Sequence, residues 1–233
     1  MSSSTYQIRR GQLEDYFDRT AAHAWEKLTS DAPVSRIRAT VRAGRDRMRA
    51  TLLSWLPDDL SGARLLDAGC GTGALAGEAA KRGADVTAID LSSNLIALAR
   101  DRAPTDLGEG SIDFQVGDML DPRGRGFDYV VAMDSLIHYS ADDMVAALDR
   151  IAPAATRKIL FTRAPRTVPL TLMHALGRLF PRSDRAPAIQ PVATRHLKRK
   201  LTVARELEDW SLGRDHRITS GFYMSHAQEL IRG

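Results

Sequence analysis

Apolar residues along the first sixty positions recur at helical spacing. Leu13, Tyr16, Phe17, Ala21, Ala24, Trp25 and Leu28 predict one amphipathic helix. Val34, Ile37, Val41, Met48, Leu52 and Leu56 predict a second, starting near Pro33 and ending before Pro57. From residue 63 the pattern changes. Short apolar runs near 64–68, 84–89, 112–116, 127–133 and 157–162 alternate with helical stretches near 74–82, 92–102 and 141–151. That alternation predicts a parallel sheet with crossover helices. Two further strands, near Arg205–Leu212 and His216–Met224, are expected to run antiparallel at the C-terminal end.

Between strand five and that pair, residues 165–191 hold five of the ten prolines. Among them Leu170, Leu172, Met173, Leu176, Leu179 and Phe180 form an apolar segment too short to span a bilayer. We read about 165–200 as an insertion that packs on the sheet edge or shapes a pocket. Residues 1–60 read as a helical lid and 61–233 as the core.

Composition narrows the class. A chain of 233 residues buries a full core, and no run approaches the length of a membrane helix. The N-terminus has no apolar segment of the secretory kind. The single cysteine, Cys70, excludes an internal disulfide framework and fits a cytoplasmic setting. The net charge of +4 chooses weakly among anionic partners. Two basic clusters, Arg36–Arg49 and Arg195–Lys200, read as solvated helix faces or as contacts to an anionic ligand. No stacking platform for nucleic-acid bases is visible, so no nucleic-acid partner is expected.

The candidate chemistry starts at 65–73, Leu-Leu-Asp-Ala-Gly-Cys-Gly-Thr-Gly, where a strand runs into alternating glycines and then a helix. Bare backbone at 69, 71 and 73 admits a ligand closely. Asp90 closes the second strand, where it can accept both hydroxyls of a ribose. The spacing is G-x-G-x-G rather than the dinucleotide G-x-G-x-x-G. With Asp67 ahead of the first glycine it resembles motif I of class I S-adenosyl-L-methionine (SAM) methyltransferases. That resemblance implies an α/β, Rossmann-like class I methyltransferase fold. Its sheet is seven-stranded and mostly parallel, with helices on both faces, an N-terminal helical lid and an insertion after strand five. SAM is the implied cofactor. The backbone of Gly69, Cys70 and Gly71 is expected at its methionyl end, with Asp67 ordering the amino group. Leu91 is expected on the adenine face, Asp118 at the adenine edge and Met119 against the ring. Tyr16, Trp25 and Arg42 are lid candidates that contact SAM, Arg42 through its carboxylate, and Asp134 after strand four joins the same set.

A closer resemblance runs through Gln12–Phe17, Trp25, Arg42-Ala43-Gly44, the glycine loop, Met133-Asp134-Ser135-Leu136-Ile137-His138-Tyr139 and Gly221–Ser225. In that order these are similar to the magnesium-protoporphyrin IX O-methyltransferases of (bacterio)chlorophyll biosynthesis. The resemblance implies methyl transfer to a propionate of a magnesium porphyrin, with His138 as the catalytic residue and no protein-bound metal. It also implies the magnesium chelatase large subunit as a partner, and at most a peripheral association with the photosynthetic membrane. One departure stands out: the family's tyrosine soon after the tryptophan is absent from Lys27-Leu28-Thr29-Ser30. Arg163, Arg166 and the 195–200 cluster are candidates for a second propionate. The competing readings are a quinone-type small-molecule O-methyltransferase and a SAM-binding partner protein without turnover.

Overall fold

The computed structural model describes residues 4–18, 29, 35–121, 126–165 and 189–233. Trp25, Arg166 and most of the expected insertion lie outside them. Helix α1 is Ser4–Tyr16 and α2 is Arg36–Leu53. The core then runs β1 (Arg64–Ala68), α3 (Ala74–Ala80), β2 (Asp85–Asp90), α4 (Ser93–Asp101), β3 (Ser111–Val116) and β4 (Phe127–Ala132). It continues through α5 (Ala141–Ile151), β5 (Ala155–Arg163), α6 (Thr194–Leu201), β6 (Trp210–Ser220) and β7 (Tyr223–Arg232).

The strands form one seven-stranded sheet in the order β3-β2-β1-β4-β5-β7-β6. β1 to β5 pair in parallel, and β7 runs antiparallel between β5 and β6. Strand alternation splits the core in two. Leu66, Val130, Ile159 and Phe161 face one layer with residues of α1, α5 and α6. Leu65, Val131, Leu160 and Ala227 face the other, with α2, α3 and α4. Central parallel strands covered on both faces need continuous apolar runs, which is why β1 and β4 read that way.

Local chemistry sets the boundaries. Ser92 and Ser140 accept from the backbone N–H of Leu95 and Asp143, capping α4 and α5. α5 also carries Asp142 and Asp143 in its first turn and Arg150 in its last, matching its dipole.

The C-terminal pair differs from its expected position. Residues 205–207 form a 3-10 turn, and the strands are 210–220 and 223–232. Residues 213–215, which fall between the two expected strands, are an irregularity within β6, where the register shifts between Leu212 and Asp215. Gly213 is needed there because a Cβ would lie 2.6 Å from the Glu229 carboxylate. The true turn is at Gly221-Phe222, with Gly221 at φ +55° against Thr40 of α2.

Candidate cofactor and acceptor site

The order of the sheet reverses between β1 and β4, so the loops leaving these strands open a crevice at their carboxyl ends. Gly69 has φ +82°, and a Cβ there would lie 2.4 Å from Ser135 Cβ in the turn after β4. Only glycine allows the two loops to meet. Gly71, at φ +55°, has nothing within 4 Å of where its Cβ would be, so its backbone stays open to a ligand. The N–H groups of Gly69 and Cys70 both donate to the Ile89 carbonyl, fixing the loop beside β2.

Asp90 binds this loop from below. Its carboxylate accepts from Gly71 N–H at 2.8 Å and Ser92 N–H at 3.0 Å. A carboxylate has about four lone-pair sites, so capacity remains for two ribose hydroxyls. Burial raises the Asp90 pKa above the usual range. Asp67 is 1 % exposed, and burial followed by repulsion from Asp90 raises its pKa to about 7. Its Oδ2, and the Oγ of Ser135, are buried with no hydrogen-bond partner among the described residues. Buried orphan acceptors beside an open glycine backbone fit a ligand with a cationic amino group. Cys70 is partly buried, and burial pushes its thiol well above the usual range.

The element expected at the adenine edge is held from α1. Asp118 accepts from the Tyr6 hydroxyl at 2.7 Å and from Leu120 N–H at 2.9 Å, and Arg10 lies 3.5 Å away. Tyr6 also stacks on Tyr139, with ring centroids 4.8 Å apart. Met119 is buried, and Leu91 packs partly buried against the same layer. Past the end of α1, Asp18 accepts from the Ser92 hydroxyl at 2.6 Å, beside Asp90.

His138 is buried in a 3-10 turn, Leu136–His138, that follows β4. The Phe17 ring meets it edge-on at 6.3 Å, and Tyr16 meets Phe17 at 5.2 Å. A cavity of about 380 Å³ opens beside this turn, lined by Ser140, Ala141, Gln190, Pro191, Val192 and His196. Gln190 N–H donates to the Ile137 carbonyl, so the chain returning from the expected insertion is tied to the His138 turn.

Other expected residues are placed differently. The Asp134 carboxylate is engaged by Arg45 at 2.8 Å and by the Tyr223, Ser225 and Thr162 hydroxyls. Arg163 is buried, with its guanidinium on the Val192 carbonyl, the Thr194 hydroxyl and His226. It fastens the returning chain to β5 and does not present itself to a second propionate. Arg42 is half-buried on α2. Thr29 accepts from Arg102, the residue that follows α4. Sequence reasoning missed Tyr6, Asp18, Arg45, Ser135 and Tyr223. Arg45 lies one turn beyond Arg42, and Tyr223 lies in the closing Gly221–Ser225 motif; these were the available signals.

Fold and glycine loop together define a class I SAM-dependent methyltransferase, and SAM is its methyl donor. A methyltransferase-domain family model matches residues 65–157. A second, described as magnesium-protoporphyrin IX methyltransferase C-terminus, matches residues 132–232. The chain is 49% identical over 227 residues to the magnesium-protoporphyrin O-methyltransferase of Rhodobacter capsulatus, covering 97% of this chain and 98% of that one. It is 31% identical to the chloroplastic magnesium protoporphyrin IX methyltransferase of Arabidopsis thaliana, covering 94% of this chain and 70% of that one. The crystal structure of the Synechocystis magnesium protoporphyrin IX methyltransferase with bound SAH superposes with TM-score 0.83 at 27% identity, over 96% of this chain and 100% of that one. The chain belongs to the magnesium-protoporphyrin IX O-methyltransferase family.

Proposed function

We propose that this protein transfers a methyl group from SAM to a propionate carboxylate of magnesium protoporphyrin IX, giving the monomethyl ester in (bacterio)chlorophyll biosynthesis. The observation that carries the reading is the near full-length likeness to an enzyme named for that substrate. SAM supplies a methyl group on a sulfonium.

The residues supply placement. A propionate is already ionised at neutral pH, its reference pKa being about 4, so it attacks without a strong base. Asp90 holds the ribose, Asp118 faces the adenine edge, and the Gly69–Gly71 backbone with Asp67 takes the methionyl end. His138 holds one oxygen of the acceptor carboxylate. Phe17 and the α1 lid keep water from the reacting pair, and alignment of this kind raises effective molarity. Tyr16 and Arg42 complete the cover, and the exposed basic residues of α6 meet the second propionate.

We extend the proposal to delivery of the porphyrin by the magnesium chelatase large subunit and to peripheral contact with the photosynthetic membrane, since the substrate is flat and largely apolar. Among the described residues no helix is long and apolar enough to cross a membrane. Pull-down with that subunit and flotation with anionic vesicles test these two extensions. The main test is incubation with labelled SAM and magnesium protoporphyrin, beside metal-free porphyrin and a quinol precursor. Label entering the magnesium porphyrin first and fastest is the expected result; preference for the quinol overturns the reading.

A further inference from the structure

Asp134 is the single non-glycine residue with positive φ among those described, at +56°. The left-handed region disfavours any residue with a Cβ, though aspartate tolerates it better than most. The conformation is held by a dense set of contacts. Arg45 of α2 reaches one carboxylate oxygen at 2.8 Å. The Tyr223 hydroxyl lies 3.1 Å from both oxygens, and Ser225 reaches Oδ1 at 3.3 Å. The Thr162 hydroxyl accepts from the Asp134 N–H at 2.7 Å and donates back to Oδ1. Helix α2 and strands β5 and β7 thus converge on one side chain. α2 also approaches Tyr223 directly: a Cβ on Gly44 would lie 2.5 Å from its ring.

The next residue is Ser135. The left-handed step at 134 turns the chain so that Ser135 lies over Gly69. Its Oγ is buried and has no hydrogen-bond partner among the described residues. A buried hydroxyl left without a partner destabilises the fold, so its presence at the mouth of a cofactor loop calls for a ligand.

We infer that the Ser135 hydroxyl is a further cofactor-binding group, directed at the polar methionyl end of SAM. Asp134 is the positioning residue that presents it through Arg45 and Tyr223. The inference rests on the SAM-binding reading of the glycine loop and not on the identity of the acceptor. It gives Asp134 a different part from direct cofactor contact. It also links α2, outside the methyltransferase core, to cofactor affinity.

The test is binding of S-adenosylhomocysteine (SAH) to the full chain, by calorimetry and by thermal shift, so that failure of the porphyrin reading leaves it intact. Ser135→Ala should weaken SAH about tenfold, the usual worth of a hydrogen bond to a charged group. Its unliganded Tm should be unchanged or higher, because the hydroxyl has no partner to lose. Asp134→Gly keeps the left-handed turn without strain and removes the anchor. It should also weaken SAH, and the Ser135→Ala/Asp134→Gly pair should bind no worse than Ser135→Ala alone, within twofold. Should Asp134→Gly not fold, Tyr223→Phe replaces it, keeping the ring against Gly44 and deleting only the hydroxyl. The inference is overturned by Ser135→Ala binding SAH as tightly as the parent. It is equally overturned by a lower unliganded Tm with intact affinity, or by effects that multiply in the double variant.

Discussion

The Tyr6 hydroxyl donates to the Asp118 carboxylate across 2.7 Å, joining residues 112 positions apart. Asp118 is the residue proposed for the adenine edge, and in that reading α1 and the cofactor share one carboxylate. Thr5 to Asp143, Arg10 to Asp118 and Asp18 to Ser92 continue the same seam. Burial holds the Tyr6 phenol far above its ordinary pKa, so it stays a donor across the working range.

From this seam we expect Tyr6→Phe to loosen α1 without unfolding the core. One hydrogen bond to a charged group is worth about 1.5–3 kcal/mol. Amide exchange over 4–16 should quicken about tenfold or more, while β1 and β4 keep their protection. SAM should slow exchange in the parent protein across the same segment. Equal exchange with and without SAM would refute the lid.

Asp90→Ala should weaken SAM or SAH at least tenfold in calorimetry. Two ribose hydroxyls lose their acceptor, and the Gly71 and Ser92 N–H groups lose theirs. The glycine loop should loosen as well, so Tm falls in the absence of ligand. Asp90→Asn should lie between, since one amide oxygen still accepts. A dissociation constant unchanged in Asp90→Ala would remove this residue from the site.

These two cases show what was legible in the chain. The position of Asp90 was legible because the end of the second strand after a glycine loop is a fixed place in this fold, and there its carboxylate meets Gly71. The period change at residue 63 likewise located the core elements to within a residue or two at β1, β2, β3 and α5. Tyr6 was not legible, because a side chain 112 residues from its partner leaves no local pattern. The break expected between the last two strands was misplaced because a glycine marks both turns and strand irregularities, and only the Glu229 side chain opposite Gly213 decides between them. Asp134 was picked out by its place after β4, but its partners lie on α2, β5 and β7, beyond any spacing rule.

Stability should depend on pH in two opposite ways. Burial works to raise the Glu229 pKa, but hydrogen bonds from Arg214 and Lys158 outweigh it and hold it at about 2. Its folded value lies below its unfolded value, so its contribution is full above about pH 5 and is lost as pH falls toward 2. Asp67 behaves in reverse. With its pKa raised to about 7, the folded state holds a proton that the unfolded chain releases near pH 4. Its contribution therefore declines as pH rises from about 4 to 7, then levels off. An amino group of SAM beside Asp67 favours the ionised form, so binding at pH 6 should release a proton. Calorimetry in buffers of different ionisation enthalpy measures this, and Asp67→Asn should abolish the release. No buffer dependence in the parent protein would place the cofactor's amino group elsewhere.

His138→Ala should lower kcat by roughly a hundredfold, in line with the worth of a positioned acid–base group. SAH affinity should hold within twofold, because the proposed contact is with the acceptor. The ring is buried beside Phe17, so truncation also leaves a void in the turn. His138→Gln keeps a donor and most of the volume and should recover part of the rate if placement of a carboxylate oxygen is the role. The pH profile separates two forms of that role. A neutral imidazole gives a rate that does not fall as pH rises. A charged imidazolium gives a rate that falls as pH rises. Near-parental kcat in His138→Ala with magnesium protoporphyrin would make the residue part of the packing alone, leaving methyl transfer to proximity and the exclusion of water.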